Sequence, residues 1–219
     1  MEKGYFVTGT DTNVGKTWAT IALMQYFTQQ GHSVIGMKPV ASGCAQKEGG
    51  LKNEDALLIQ ANTTVKVSYD CINPYAYELA VSPHIAGRHN PVNLDYVEQR
   101  FLETSTLAEI VIVEGVGGWL SPLNAIDNVE DMAKRLKLPI ILVVAIKLGC
   151  ISHASLTYRA IIASGLTCTG WIASCCDLTM LEEESNIQTL QEKIDAPLLG
   201  VFPFLATADF NYFSKRLKF

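Results

Sequence analysis

The stretch GTDTNVGKTW, residues 9–18, decides how the rest of the chain is read. It follows the apolar run Tyr5-Phe6-Val7 and closes on Gly15-Lys16-Thr17, the ending of a loop that cradles phosphate. The usual pattern sets its first glycine five residues before the second; here Gly9 stands six before Gly15, and Thr10 holds the expected place. A loop turning from strand to helix aims backbone N–H groups and the positive end of the helix dipole at one point. In such a loop Gly15 lets the backbone approach phosphate, Lys16 supplies a point charge, and the Thr17 hydroxyl is placed to hold Mg²⁺. A chance glycine turn before Lys-Thr is the bland alternative. A strand before the loop and a helix after it argue for the nucleotide site.

Working outward, short apolar runs alternate with helical stretches. Strands are expected at 5–8, 34–37, 110–113, 140–146, 170–173 and 198–202, and helices at 16–30, 55–61, 94–107, 129–136, 153–164 and 181–194. Several runs are continuous and β-branched, as in strands buried on both faces. The alternation predicts an α/β fold: a doubly wound, mainly parallel sheet flanked by helices, of the P-loop NTPase type. No repeat, low-complexity tract or linker divides the chain, so residues 1–219 read as a single P-loop nucleotide-binding catalytic domain.

Composition sets the outer limits. Charged residues are 18% of the chain and apolar residues 48%, an ordinary globular balance. A net charge of −5 argues against nucleic acid or an anionic membrane as partner. The six cysteines show no paired-ligand spacing, which reads as reduced thiols in a cytoplasmic protein. The early first strand leaves no room for a signal peptide, and the longest apolar run, 139–146, is too short to span a bilayer.

Ligands of doubly wound sheets lie at the carboxyl ends of the strands. The polar residues there are the loop just described, KPVASG (38–43), EGVGG (114–118), KLGCISH (147–153), SCCD (174–177) and PFLA (203–206). Mg²⁺ needs carboxylates beside the hydroxyl. Glu114 stands where an acid beside the phosphate loop belongs, and the glycines after it suggest close approach of backbone to a ligand. Asp55 opens a helix, where an acid also simply favours the dipole. Lys38 taken alone is an ordinary solvated lysine. With Ser42 and Gly43 behind it, Lys38 is also the second cation that a phosphoryl-transfer site needs.

Together YFVTGTDTNVGKT, KPVASG, VEGVGGW, KLGCISHA and APLLGVFP resemble the dethiobiotin synthetase family of biotin biosynthesis, in order from the first strand to about residue 205. The family spells its loop G-T-D-T-x-V-G-K-T, a variant in which Thr12 faces the second substrate. The resemblance implies a ligase that joins 7,8-diaminopelargonic acid and CO₂ at the expense of ATP, with Mg²⁺. It implies Lys16 and Lys38 as catalytic residues, the first on the β- and γ-phosphates, the second shared between phosphate and carbamate. Thr17, Asp55 and Glu114 are the implied metal ligands, and Thr12, Ser42 and Gly118 the implied substrate contacts. Nucleotide contacts fall on Asn13, Val14, Gly15, Lys16, Thr17 and Trp18, on Asp55, on Glu114, Gly115, Val116 and Gly117, and on Ser174, Cys175, Pro203, Phe204 and Leu205.

The resemblance also implies a homodimer in which backbone N–H groups of Gly149, Cys150, Ile151 and Ser152 bind the substrate carboxylate across the subunit boundary. The side chains of Cys150 and His153 read as capping and packing. One departure concerns the base: relatives commonly have Asn where this chain has Ser174, and serine has one hydroxyl where Asn has two amide atoms to pair with adenine. Pro203–Leu205 read equally as a wall for the base or as core packing. ATPases of the ParA/MinD type are the alternative. They carry an extra lysine where this chain has Asp11, although FNYFSKRLKF at 210–219 resembles their basic terminal helix.

Overall fold

Phe6 and Val7 enter two different cores, and so do Val113 and Ile112, or Leu142 and Val143. Successive side chains of a strand face opposite ways, so these apolar runs belong to strands covered on both faces. The computed structural model describes residues 4–219. The strands are β1 (Gly4–Gly9), β2 (Val34–Met37), β3 (Val40–Ser42), β4 (Ala45–Lys47), β5 (Gly50–Lys52), β6 (Tyr75–Tyr77), β7 (Ile110–Glu114), β8 (Ile140–Ala145), β9 (Cys168–Ser174) and β10 (Leu198–Phe202). The helices are α1 (Lys16–Gln29), α2 (Glu54–Ala61), α3 (Tyr69–Ile72), α4 (Pro83–Ala86), α5 (Leu94–Ser105), α6 (Val129–Leu136), α7 (Cys150–Ala163), α8 (Glu183–Lys193) and α9 (Phe210–Ser214).

The central sheet runs β10-β9-β8-β1-β7-β2, with every pair parallel. Apolar residues of α5, α6, α7 and α8 cover one face, and those of α1, α2 and α9 the other. From β1 the chain goes out to β2 and back to β7, then crosses to β8 on the other side of β1. The winding direction therefore changes at β1, which opens a crevice beyond its carboxyl end. Two small ribbons, β3·β6 and β4·β5, flank that end.

All six strands expected from the sequence are in this sheet, and helix 129–136 has the expected bounds. The helix expected at 153–164 instead starts at Cys150. Gly149 takes the left-handed φ of 91°, and His153 N donates to its carbonyl, so the helix begins directly after the turn. The short elements α3 and α4 were not anticipated; at four residues each they carry no usable periodicity. The terminal stretch 210–219, which resembles a basic helix in sequence, is helical over Phe210–Ser214.

Candidate active site

The spacing of the first loop has a steric cause. A β-carbon on Gly9 would meet Val14 Cγ2 at 2.5 Å and the Lys16 stem at 3.1 Å. Glycine at the end of β1 thus makes room for Val14, which is fully buried and gives the loop its anchor. Asn13 (φ 57°) and Gly15 (φ 92°) are left-handed, which curls the backbone into an N–H-lined concavity ahead of α1. Lys16 Nζ donates to the Asp11 carbonyl at 2.6 Å. Burial pulls the Lys16 ammonium down to about 8, against the opposing pull of Glu114.

Parallel register places the acid. Val7 pairs with Glu114 across β1 and β7, and Gly115 N donates to the Val7 carbonyl at 2.9 Å. The Glu114 side chain is completely buried there, and Thr17 Oγ1 donates to its Oε1 at 2.9 Å. Lys38 follows β2, whose Met37 pairs with Val113, and so emerges beside Glu114. Its Nζ lies 2.5 Å from Glu114 Oε1 and 2.9 Å from Asp55 Oδ2. At 6% exposure Lys38 is not a solvated strand-end lysine. Burial works to lower its pKa, yet the Glu114 and Asp55 carboxylates outweigh it and hold the ammonium above the ordinary lysine value.

A buried polar chain fixes this geometry. Asn53 caps α2 by accepting from Ala56 N; its own N–H donates to the Tyr69 hydroxyl at 2.8 Å, and that hydroxyl donates to Asn73 Oδ1 at 2.8 Å. Asn73 Nδ2 then donates to the Lys38 carbonyl at 2.7 Å, while Lys38 N donates to the Ile72 carbonyl at 2.8 Å. The helix carrying Asp55 and the strand end carrying Lys38 are thereby held in one frame. Asn before Glu-Asp is a legible helix-capping signal. Tyr69 and Asn73 left no local signal, because their partners are distant in the sequence.

Lys16, Thr17, Lys38, Asn53, Asp55 and Glu114 line one cavity of about 810 Å³. It gathers Thr12, Asn13, Gly15, Lys16, Thr17, Trp18, Lys38, Ser42, Glu114, Val116, Gly117, Ser174, Cys175 and Pro203–Leu205 from beyond the ends of β1, β2, β7, β9 and β10, and Asp55 from α2. Cys176, of the SCCD segment, lines it too, and so do Ala80–Pro83, Ser121 and Phe213, which were not read from the sequence. Val14 and Gly115 do not line it: the Val14 side chain is fully buried against Gly9, and Gly115 faces Phe6 and Val129 in the core. Gly118 packs on the first loop, with its N–H donating to Ser121 Oγ at 2.8 Å. Gly149, Cys150, Ile151 and Ser152 form the start of α7 outside the cavity; the Cys150 side chain is buried, its Sγ 3.8 Å from Asn186 Oδ1.

Two ends of the cavity differ. Among the described residues the buried Ser42 hydroxyl and Glu114 Oε2 have no hydrogen-bond partner, so one end presents unpaired oxygens. The other is apolar: Phe213 stacks on Phe202 at 4.5 Å and lies 5.5 Å from Trp18, beside Pro203–Leu205. For Mg²⁺ the donor set fits. Thr17, Asp55 and Glu114 offer only oxygen, one carboxylate oxygen is unpaired, and Mg²⁺ binds a few carboxylates and keeps several waters.

The chain matches the AAA domain family over residues 3–210. It is 43% identical over 207 residues to the ATP-dependent dethiobiotin synthetase BioD of Xanthomonas oryzae pv. oryzae (strain PXO99A), covering 94% of this chain and 92% of that protein. It is likewise 43% identical over 218 residues to that of Cellvibrio japonicus (strain Ueda107), covering 99% and 96%. Among solved structures it resembles a chain of the MinC:MinD cell division protein complex of Aquifex aeolicus (TM-score 0.60, 15% identity, 98% of this chain and 85% of that one). It also resembles the septum site-determining protein MinD complexed with Mg-ADP from Pyrococcus horikoshii OT3 (TM-score 0.57, 14% identity, 93% and 82%). At such identities the likeness is one of fold, that of the P-loop NTPases.

Proposed function

The chain belongs to the dethiobiotin synthetase family of ligases, and on that premise we propose that it closes the ureido ring of dethiobiotin from 7,8-diaminopelargonic acid, CO₂ or bicarbonate, and ATP. One amine adds to CO₂ and loses a proton, giving a carbamate. A carbamate oxygen attacks the γ-phosphorus, the bond to ADP breaks, and a carbamic–phosphoric anhydride forms. The second amine attacks the carbonyl carbon and loses a proton, phosphate departs, and the ring is closed.

The site must hold two anions, carbamate and γ-phosphate, close together and in line. Lys16 neutralises the β- and γ-phosphates; Lys38 supplies charge between phosphate and carbamate. The Thr12 hydroxyl and the unpaired Ser42 hydroxyl hydrogen-bond the diamine end, and the apolar wall of Trp18, Phe204 and Phe213 takes the base. Mg²⁺ held by Thr17, Asp55 and Glu114 would neutralise phosphate charge. Positioning and electrostatics supply the catalysis, and no covalent enzyme intermediate is needed. Residues 1–219 act as one catalytic domain, and a second subunit's α7 start, Gly149–Ser152, receives the substrate carboxylate at its N–H groups.

The observation that carries this reading is the meeting of Lys16, Lys38, Thr17, Asp55 and Glu114 in one cavity, with Ser42 unpaired beside them. Mass spectrometry of the products from ATP, bicarbonate and the diamine tests it. Dethiobiotin, ADP and phosphate in equal amounts are expected. ATP hydrolysis without dethiobiotin, stimulated by liposomes, would instead favour a MinD-type switch.

A further inference from the structure

Lys38 Nζ stands between Asp55 Oδ2 at 2.9 Å and Glu114 Oε1 at 2.5 Å, and Thr17 Oγ1 donates to that same Glu114 oxygen. These three side chains are the proposed cation ligands, so the ammonium occupies the ground that the cation needs. An ammonium and a divalent cation on one carboxylate oxygen repel strongly where water is scarce. Glu114, completely buried, also cannot be left without a counter-charge, because an unpaired buried carboxylate is costly. One positive group must therefore replace the other.

We propose that Lys38 is an internal placeholder for the divalent cation, neutralising Glu114 and Asp55 in the nucleotide-free protein and leaving them when the cation arrives with ATP. The inference rests on the assignment of Thr17, Asp55 and Glu114 as the cation ligands. The backbone of Lys38 is clamped by Ile72 and Asn73, so the exchange is a swing of the side chain alone. The unpaired Ser42 hydroxyl lines the same cavity. An ammonium released from the carboxylates stays within the site, where the γ-phosphate and carbamate meet. The role of Lys38 in phosphoryl transfer is thus armed by cation loading, and the carboxylates hold a cation weakly until phosphate draws the lysine away. The coupling is reciprocal.

Mn²⁺ binding followed by electron paramagnetic resonance, without nucleotide, tests this on the full chain. Lys38→Met should bind Mn²⁺ more tightly than the native protein by about tenfold or more, since a like charge within a few ångströms is gone. The gain should vanish in Lys38→Met/Glu114→Gln. Removing Lys38 strands Glu114, so thermal melting is read alongside: Lys38→Met should melt below the native protein in EDTA and recover with Mn²⁺, whereas the native Tm should barely move. Native-like Mn²⁺ affinity in Lys38→Met, or failure of Mn²⁺ to restore it, overturns the placeholder. Glu114→Gln and Asp55→Asn in the native background separate the two ideas. If Mn²⁺ binding in the presence of ATP survives both, the cation-site assignment itself is wrong and the placeholder falls with it. If both abolish it while Lys38→Met gains nothing, only the placeholder fails.

Discussion

The Ser174 hydroxyl oxygen lies 2.6 Å from the point where a β-carbon on Gly15 would stand. The end of β9 thus supports the phosphate loop from beneath, and Gly15 is fixed by that contact as well as by its left-handed φ of 92°. Gly15→Ala meets both obstacles: a backbone cost of roughly 1–2 kcal/mol and a collision with Ser174. It should raise the Kd for ADP at least about tenfold, each 1.4 kcal/mol being tenfold. Titration calorimetry checks this; native affinity in the variant would show that the loop moves freely off β9.

Because the Ser174 hydroxyl abuts Gly15, it is poorly placed to read the edge of a base. The apolar end of the cavity, proposed above for the base, is instead lined by Trp18, Phe204, Leu205 and Phe213, apolar surfaces that do not discriminate between bases. GTP or CTP should therefore support turnover within about tenfold of ATP in kcat/KM, a gap of roughly 1.4 kcal/mol. Ser174→Asn should sharpen the preference for ATP, since a hydrogen-bonding site rejects mismatched analogues better than an apolar slot does. Steady-state assays with the four nucleoside triphosphates decide it; a thousandfold native preference for ATP would mean that other groups read adenine.

Lys38→Ala should lower kcat by on the order of 10²-fold or more, as loss of one preorganised transition-state contact typically does. Without a divalent cation, ADP affinity should change little, because the proposed phosphate partner of Lys38 is the γ-phosphate, which ADP lacks. An unchanged kcat would confine Lys38 to its structural ion pair.

Phe213 ties the C-terminal segment to the apolar end of the cavity. It is fully buried, stacked on Phe202 and packed near Trp18, and Phe219 beyond it lies on Tyr26 at 5.3 Å. Phe213→Ala should cost about 3–5 kcal/mol of stability, the usual range for a buried aromatic. Urea unfolding measures that cost. The KM for ATP should rise more than that for the diamine, and equal changes in both would detach α9 from the base site.

Cys168 links stability to alkaline pH. Burial pushes its thiol from 9.0 up to about 11. An acid whose pKa is raised on folding contributes stability that is complete below the unfolded pKa and lost as pH rises through the folded one. Stability should therefore fall between about pH 9 and 11, by roughly 3 kcal/mol at most from this thiol, at 1.36 kcal/mol per unit. Cys168→Ala should flatten that part of the profile, measured by urea midpoints across the range. An unaltered slope would assign the alkaline loss to other groups.

The phosphate loop was legible in residues 9–18 because its chemistry is local: glycine, lysine and threonine between an apolar run and a helix. The sheet was legible for the same reason, since β-branched runs such as 110–113 and 140–146 carry their burial in their composition. What the sequence alone could not decide was the company each residue keeps. Whether Lys38 is solvated or paired depends on the parallel register that sets Met37 beside Val113 and Val7 beside Glu114, contacts between segments far apart in the chain. The hydrogen-bond chain from Asn53 through Tyr69 and Asn73 to Lys38 is equally nonlocal. So is the contact of Ser174 with Gly15, which turns a residue expected at the base toward the phosphate loop. Local chemistry names the parts of such a site. Their pairing is set by strand order and register, which only the folded chain fixes, because side chains drawn from distant segments meet only after the sheet has formed.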